Sequence, residues 1–155
     1  MKKFFLKLIV DNNRGVMGRI ATLLARKGYN ITSVSVGSHV EKGEASIVLT
    51  IWGSQEEVES AKNMLGKLIN VISSEMYPEE DVIEIEDCLI KIKKVDGIEE
   101  KLKGYLAGII KENNDFAIIK AVDHPYKVES LIKKCQEEFE VIDINRSGTN
   151  VMSIK

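Results

Sequence analysis

The chain of 155 residues is 44% apolar and 30% charged, the profile of a water-soluble globular protein with length for one ordinary domain or two small ones. Its formal net charge of −2, with both signs interspersed, excludes the strong basic bias of a nucleic-acid binder or of a protein held on an anionic membrane. No apolar run approaches the roughly 18 residues of a membrane span. Asp11 also ends the apolar run after Met1-Lys2-Lys3 too early for a secretory signal, so a cytoplasmic location is expected. Cys88 and Cys135 lie far apart with no Cys-x-x-Cys pair and read as reduced thiols.

In chain order, Phe4 to Val10 is a short apolar run of strand formers, and Val16 to Lys27 carries Val16, Ile20, Leu23 and Leu24 at helical spacing. Gly28 is placed to stop that helix. Ile31 to Val36 alternates apolar and polar residues, Gly37 to Gly43 reads as a loop, and Ala45 to Trp52 as a second apolar strand. Ser54-Gln55-Glu56-Glu57 is a capping box that announces a helix with Val58, Ala61, Leu65 and Leu68 as its buried stripe. Val71 to Met76 closes a β-α-β-β-α-β pattern.

Pro78-Glu79-Glu80-Asp81 then joins a turn residue to a charge run, and residues 78–81 are the best linker candidate, dividing the chain into domains 1–77 and 82–155. Beyond it the pattern restarts. Val82 to Lys93 reads as a strand, and Gly97 to Tyr105 as a helix with Ile98 and Leu102 on one face. Gly108 to Glu112 and Phe116 to Val122 form a hairpin turned by Asn113-Asn114-Asp115. A helix marked by Val128, Leu131, Ile132, Cys135 and Phe139 leads into a last strand over Val141 to Asn145. The fold class is therefore α+β, two ferredoxin-like units repeated in architecture rather than in sequence.

Ferredoxin-like units host many functions, so the choice depends on particular residues. RNA recognition on such a sheet needs stacking aromatics and a basic surface, whereas the strand Ala45 to Trp52 offers Trp52 alone. Gly15-Val16-Met17-Gly18 follows a strand and carries no basic residue inside it, unlike the loop of a KH domain. No Gly-Lys-Ser/Thr completes a phosphate loop. His39 and His124 stand without a nucleophile pattern, so no catalytic residues are proposed. The acidic run Glu79 to Asp87 is read as solvated chain rather than a metal site.

The stretch Asp11-Asn12-Asn13-Arg14-Gly15-Val16-Met17-Gly18-Arg19 runs from a strand through a tight polar turn to a helix start. A helix start offers unpaired N–H groups and a positive dipole end, which favour a carboxylate. Gly15 leaves the backbone of Val16 and Met17 open to close approach, and Asn12 and Asn13 supply donors and acceptors. An α-amino acid needs such a set. The alternative is a plain strand-to-helix turn capped by an Asn or Asp side chain.

Leu8 to Ile20, followed by Arg26-Lys27-Gly28-Tyr29-Asn30-Ile31, resembles the ACT domain of the acetolactate synthase small (regulatory) subunit family. The likeness continues through Leu65-Gly66-Lys67-Leu68-Ile69-Asn70-Val71-Ile72, Leu89-Ile90-Lys91-Ile92 and Arg146-Ser147-Gly148, so it spans nearly the whole chain. Tyr105-Leu106-Ala107 stands where members commonly have Phe-Arg-Ala.

The resemblance implies an N-terminal ACT domain that binds valine, or a related branched-chain amino acid, at a homodimer interface. It also implies a C-terminal ferredoxin-like domain that helps activate a separate large catalytic subunit. That large subunit, and not this chain, would carry thiamine diphosphate, Mg²⁺ and FAD; the chain itself would be non-catalytic and confer feedback inhibition. By position, the effector contacts would be Asn12, Gly15, Val16 and Met17 from one protomer and Asn30 and Ile31 from the other. The alternative is a free-standing ACT-type amino-acid sensor that regulates another partner.

Overall fold

The computed structural model describes residues 1–155. Its element order is β1 (Lys2–Asp11), α1 (Val16–Arg26), β2 (Asn30–Ser38), β3 (Glu44–Gly53), α2 (Gln55–Gly66), β4 (Val71–Pro78), β5 (Val82–Lys93), α3 (Ile98–Leu102), β6 (Ala107–Glu112), β7 (Phe116–Asp123), α4 (Pro125–Glu138) and β8 (Val141–Ser153). The strands form two four-stranded sheets, ordered β2-β3-β1-β4 and β6-β7-β5-β8. Each is the sheet of a β-α-β-β-α-β unit, as the repeated pattern predicts.

Two compact units result, Met1–Ile83 with Val151–Lys155, and Glu84–Asn150. In the first unit β1 pairs antiparallel with β3, Phe4 opposite Ile51 and Leu8 opposite Ile47, and antiparallel with β4. Alternation sends Phe4, Leu6, Leu8 and Val10 to one face. They pack with Val16, Ile20 and Leu24 of α1 and Val58, Ala61 and Leu65 of α2. The capping box at the start of α2 forms as its spacing requires: Glu57 N–H donates to Ser54 Oγ and Ser54 N–H to Glu57 Oε2. On the opposite sheet face Phe5 and Val48 are covered by Val151, with Tyr77 and Val82 beside them.

Residues 79–81 form one 3-10 turn between β4 and β5. Lys3 Nζ lies 3.1 Å from Glu79, Ile154 N–H donates to the Asp81 carbonyl at 3.0 Å, and Lys155 pairs with Asp81. The segment read as a candidate linker is thus tied to both ends of the chain.

In the second unit β5 alternates strictly, with Cys88, Ile90 and Ile92 turned toward Ala117, Ile119 and Ala121 of β7 and toward α4. Three boundaries differ from the sequence expectation. The helix expected over Gly97 to Tyr105 is only Ile98–Leu102, because Gly97 enters at φ 78° and Gly104 leaves at φ 88°, closing off both ends. The last strand runs on from Asn145 to Ser153, and β2 runs on through Gly37 to Ser38, whose residues pair with Ser46 and Ala45. The Asn113 turn forms as expected, its side-chain oxygen accepting from the N–H groups of Asp115 and Phe116.

Candidate functional site

The turn between β1 and α1 is held from both sides. Asp11 N–H donates to the Asn70 carbonyl at 2.9 Å, and Asn12 N–H to the Gly43 carbonyl at 2.8 Å. The loops before β3 and β4 therefore fix the height at which β1 ends. Asn13 N–H turns back to the Asp11 carbonyl at 2.8 Å, and the chain enters α1 through Gly15 at φ 84° and ψ −5°. That left-handed conformation is what demands glycine here.

One reading of this turn is corrected. The side-chain cap from Asn or Asp is absent: Gly15 is the N-cap and no side chain bonds the first turn. A Cβ at Gly15 would meet no atom of the chain within 4 Å, so the space over the turn is open. Val16 N–H makes only a long 3.4 Å bond to the Asn13 carbonyl. No acidic side chain lies in the first helical turn to neutralise the dipole. The helix start is thus an open donor group of positive potential, suited to a carboxylate.

The six expected effector contacts fall into two places. Asn12 and Gly15 are exposed at the turn, Met17 is partly exposed beside them, and the Val16 side chain is buried in the core, leaving only its backbone available. Asn30 and Ile31 lie at the far end of the same sheet. Asn30 pairs with Trp52 and Ile31 with Ile51, whereas Asp11 pairs with Glu44. Eight steps of β3 between Glu44 and Trp52 set the two groups roughly 27 Å apart within one chain.

Residues not predicted as contacts lie beside the turn and along α1. A groove of about 440 Å³ runs from Gly15 along α1 past Gly18, Arg19, Thr22 and Arg26, with Leu68 on its other wall. Arg19 Nη1 donates to Asn70 Oδ1 at 2.7 Å, so the residue whose carbonyl anchors Asp11 also aims this guanidinium. The spacing of Arg19, Thr22 and Arg26 on one helix face was available as a signal. The role of Asn70, distant by 51 positions from Arg19, was not.

The second unit holds a different polar cluster. Glu86 on β5 is almost wholly buried and takes a two-pronged bond from Arg146 of β8, Nε to Oε1 at 2.9 Å and Nη2 to Oε2 at 2.8 Å. Arg146 Nη1 reaches Glu129 of α4 at 2.6 Å. These bonds push the guanidinium pKa up from its already high value, Glu86 contributing most. Burial pushes both the Cys88 and Cys135 thiols up to about 11, so neither is a ready thiolate at neutral pH.

A β-α-β-β-α-β unit whose first strand turns directly into its first helix has the architecture of the ACT-type domains. Residues 6–73 match the family model described as the AHAS small subunit-like ACT domain, and residues 86–154 match that of the small subunit of acetolactate synthase. The chain belongs to the acetolactate synthase small subunit family. It is 27% identical over 155 residues to the acetolactate synthase small subunit of Buchnera aphidicola, covering 96% of each chain. It is 28% identical over 151 residues to that of Mycobacterium bovis, covering 95% of this chain and 89% of the relative. The crystal structure of the acetolactate synthase small subunit from Thermotoga maritima superposes with a TM-score of 0.89 at 27% identity, covering 100% of this chain and 99% of the other.

Proposed function

We propose that this chain is the regulatory subunit of an acetolactate synthase, activating a large catalytic subunit and making it subject to feedback inhibition by valine or a related branched-chain amino acid. The observation that carries the reading is the open start of α1 at Gly15, with no capping side chain and no acid in its first turn, in a domain of this family. The amino acid's carboxylate would lie on the N–H groups at Val16 and Met17, and its ammonium on the Asn12 side-chain oxygen. Thiamine diphosphate, Mg²⁺ and FAD are assigned to the large subunit, where they supply the carbon–carbon chemistry. This chain contributes binding alone.

The distance between Asn12 and Asn30 makes a homodimer part of the proposal. β2 is an edge strand, and Val34 and Val36 stand 43% and 51% exposed on the helix side of its sheet. On α1 the outward residues Gly18, Ala21, Thr22 and Ala25 are small, which lets a second helix approach closely. Antiparallel pairing of β2 with its copy extends the sheet across a two-fold axis. Such a pairing would carry the partner's Asn30 and the partner's Ile31 to the Ser38 end of β2. That is the end where β1 gives way to the Asn12–Gly15 turn.

Calorimetric titration of the purified chain with valine tests this. Wild type should bind, Gly15→Asp should not, and Gly15→Ala, which strains the same φ without adding charge, should retain weakened binding. Full binding by Gly15→Asp would remove the turn from the site. Failure of wild type to bind any branched-chain amino acid would remove the effector reading.

A further inference from the structure

Building on the regulatory reading, we infer that the helix-free face of the sheet in Glu84–Asn150 is the surface that docks the large catalytic subunit, and that it takes an apolar patch edged with carboxylates. On β5 and β7 the core-facing residues alternate with a second set. Asp87 stands opposite Val122, Leu89 opposite Lys120, and Lys91 opposite Ile118. Neither helix of this unit covers this set, since α3 and α4 pack on the opposite side with Ile90, Ile92 and Ile119. Leu89 is 41% exposed and Ile85, four residues earlier on the same side, is 42% exposed. Ile118 and Val122 are half-buried on the same side, opposite Lys91 and Asp87. Apolar side chains thus alternate with charged ones across this face, where a free solvent face would carry polar residues alone.

Its charge identifies the occupant. Lys91, Lys93, Lys111 and Lys120 share the side that carries Asp87 as its acid on the two central strands, although the whole chain has a net charge of −2. Lys93 is already paired with Glu140 at 3.2 Å. A second copy stacked face to face would bring like charges together, which costs affinity. A nucleic acid would need exposed rings, and the one aromatic ring on these strands, Phe116, lies under Lys91 with Nζ 4.4 Å from its centroid. A protein surface combining apolar side chains with Asp or Glu meets both the apolar residues and the lysines.

The test titrates a purified large catalytic subunit with the full-length chain and reads the concentration giving half-maximal acetolactate formation. Lys91→Glu with Lys120→Glu should raise that concentration by at least about tenfold, reversing charges that steer and hold the partner. Lys91→Arg with Lys120→Arg should leave it unchanged, and raising the salt should weaken the wild type. Leu89→Ser gives a second arm with the same direction, circular dichroism confirming that each variant is folded. Valine binding and mass by light scattering should stay as in wild type. An unchanged half-activation concentration in both arms overturns the docking face. A change of oligomeric mass overturns it too, by making the face a self-interface, as would tight RNA binding lost in the charge-reversed variant. If wild type itself neither activates nor binds the large subunit, it is the regulatory reading that fails.

Discussion

Replacing Arg146 with methionine keeps the length and apolar stem of the side chain but removes three charge-assisted hydrogen bonds from the second unit, two of them to Glu86. The two acceptors are not equivalent. Glu129 is 45% exposed and rehydrates readily, while the Glu86 side chain is 4% exposed and has lost its counter-charge. Breaking a buried pair from one side costs about 3–5 kcal/mol, and the partial exposure of Arg146 itself favours the lower end. A loss of about 3 kcal/mol lowers the urea midpoint by roughly 1–3 M at an m-value of about 1–3 kcal/mol per molar. Circular dichroism during urea unfolding measures this directly. Adding Glu86→Gln to Arg146→Met should recover more than half of the loss, because a neutral amide does not need the guanidinium. A loss below about 1 kcal/mol, or no recovery in the double variant, would show that Arg146 does not clamp β5, β8 and α4 together.

Ser54→Ala removes the acceptor for the Glu57 N–H and should lower stability by about 1 kcal/mol in the same unfolding measurement. Deleting 151–155 uncovers Phe5 and Val48 and frees Asp81 from Ile154. It should destabilise the first unit by about 1.5–3 kcal/mol, the value of one buried Val side chain, read from Trp52 fluorescence. The raised thiol pKa values imply alkaline sensitivity. Below the ordinary thiol range both states hold their protons. Between that range and about 11 only the unfolded chain releases them, so stability falls as pH rises. Thermal melts between pH 8 and 11 should show this fall, reduced in Cys88→Ala with Cys135→Ala. Thiol reagents at pH 8 should label the cysteines only after denaturation.

Local signals carried most of the fold. The capping box at Ser54, the alternation along β5 and the Asn113 turn each depend on residues within a few positions of one another, and each forms as read. The end of β8 was hidden because Arg146-Ser147-Gly148-Thr149-Asn150 is polar and glycine-bearing. Its extension depends on pairing with β5 and on Ser147 Oγ accepting from Asp87 N–H, 60 residues away. At the candidate site the use of glycine at 15 was legible, but the φ of 84° that requires it was not. The contacts of Asn70 with Asp11 and Arg19 join segments that only the folded sheet brings together. Sequence spacing likewise gave no sign that Asn30 would stand at the opposite end of β3 from the turn.

The central claim is that this chain regulates a catalytic partner through the Gly15 turn, and acetolactate formation tests it most directly. A purified large subunit should turn over faster when the chain is added, and valine should reverse that gain with wild type. With Gly15→Asp the gain should persist while valine has no effect. Equal turnover with and without the chain, or acetolactate formed by the chain alone, would contradict the account.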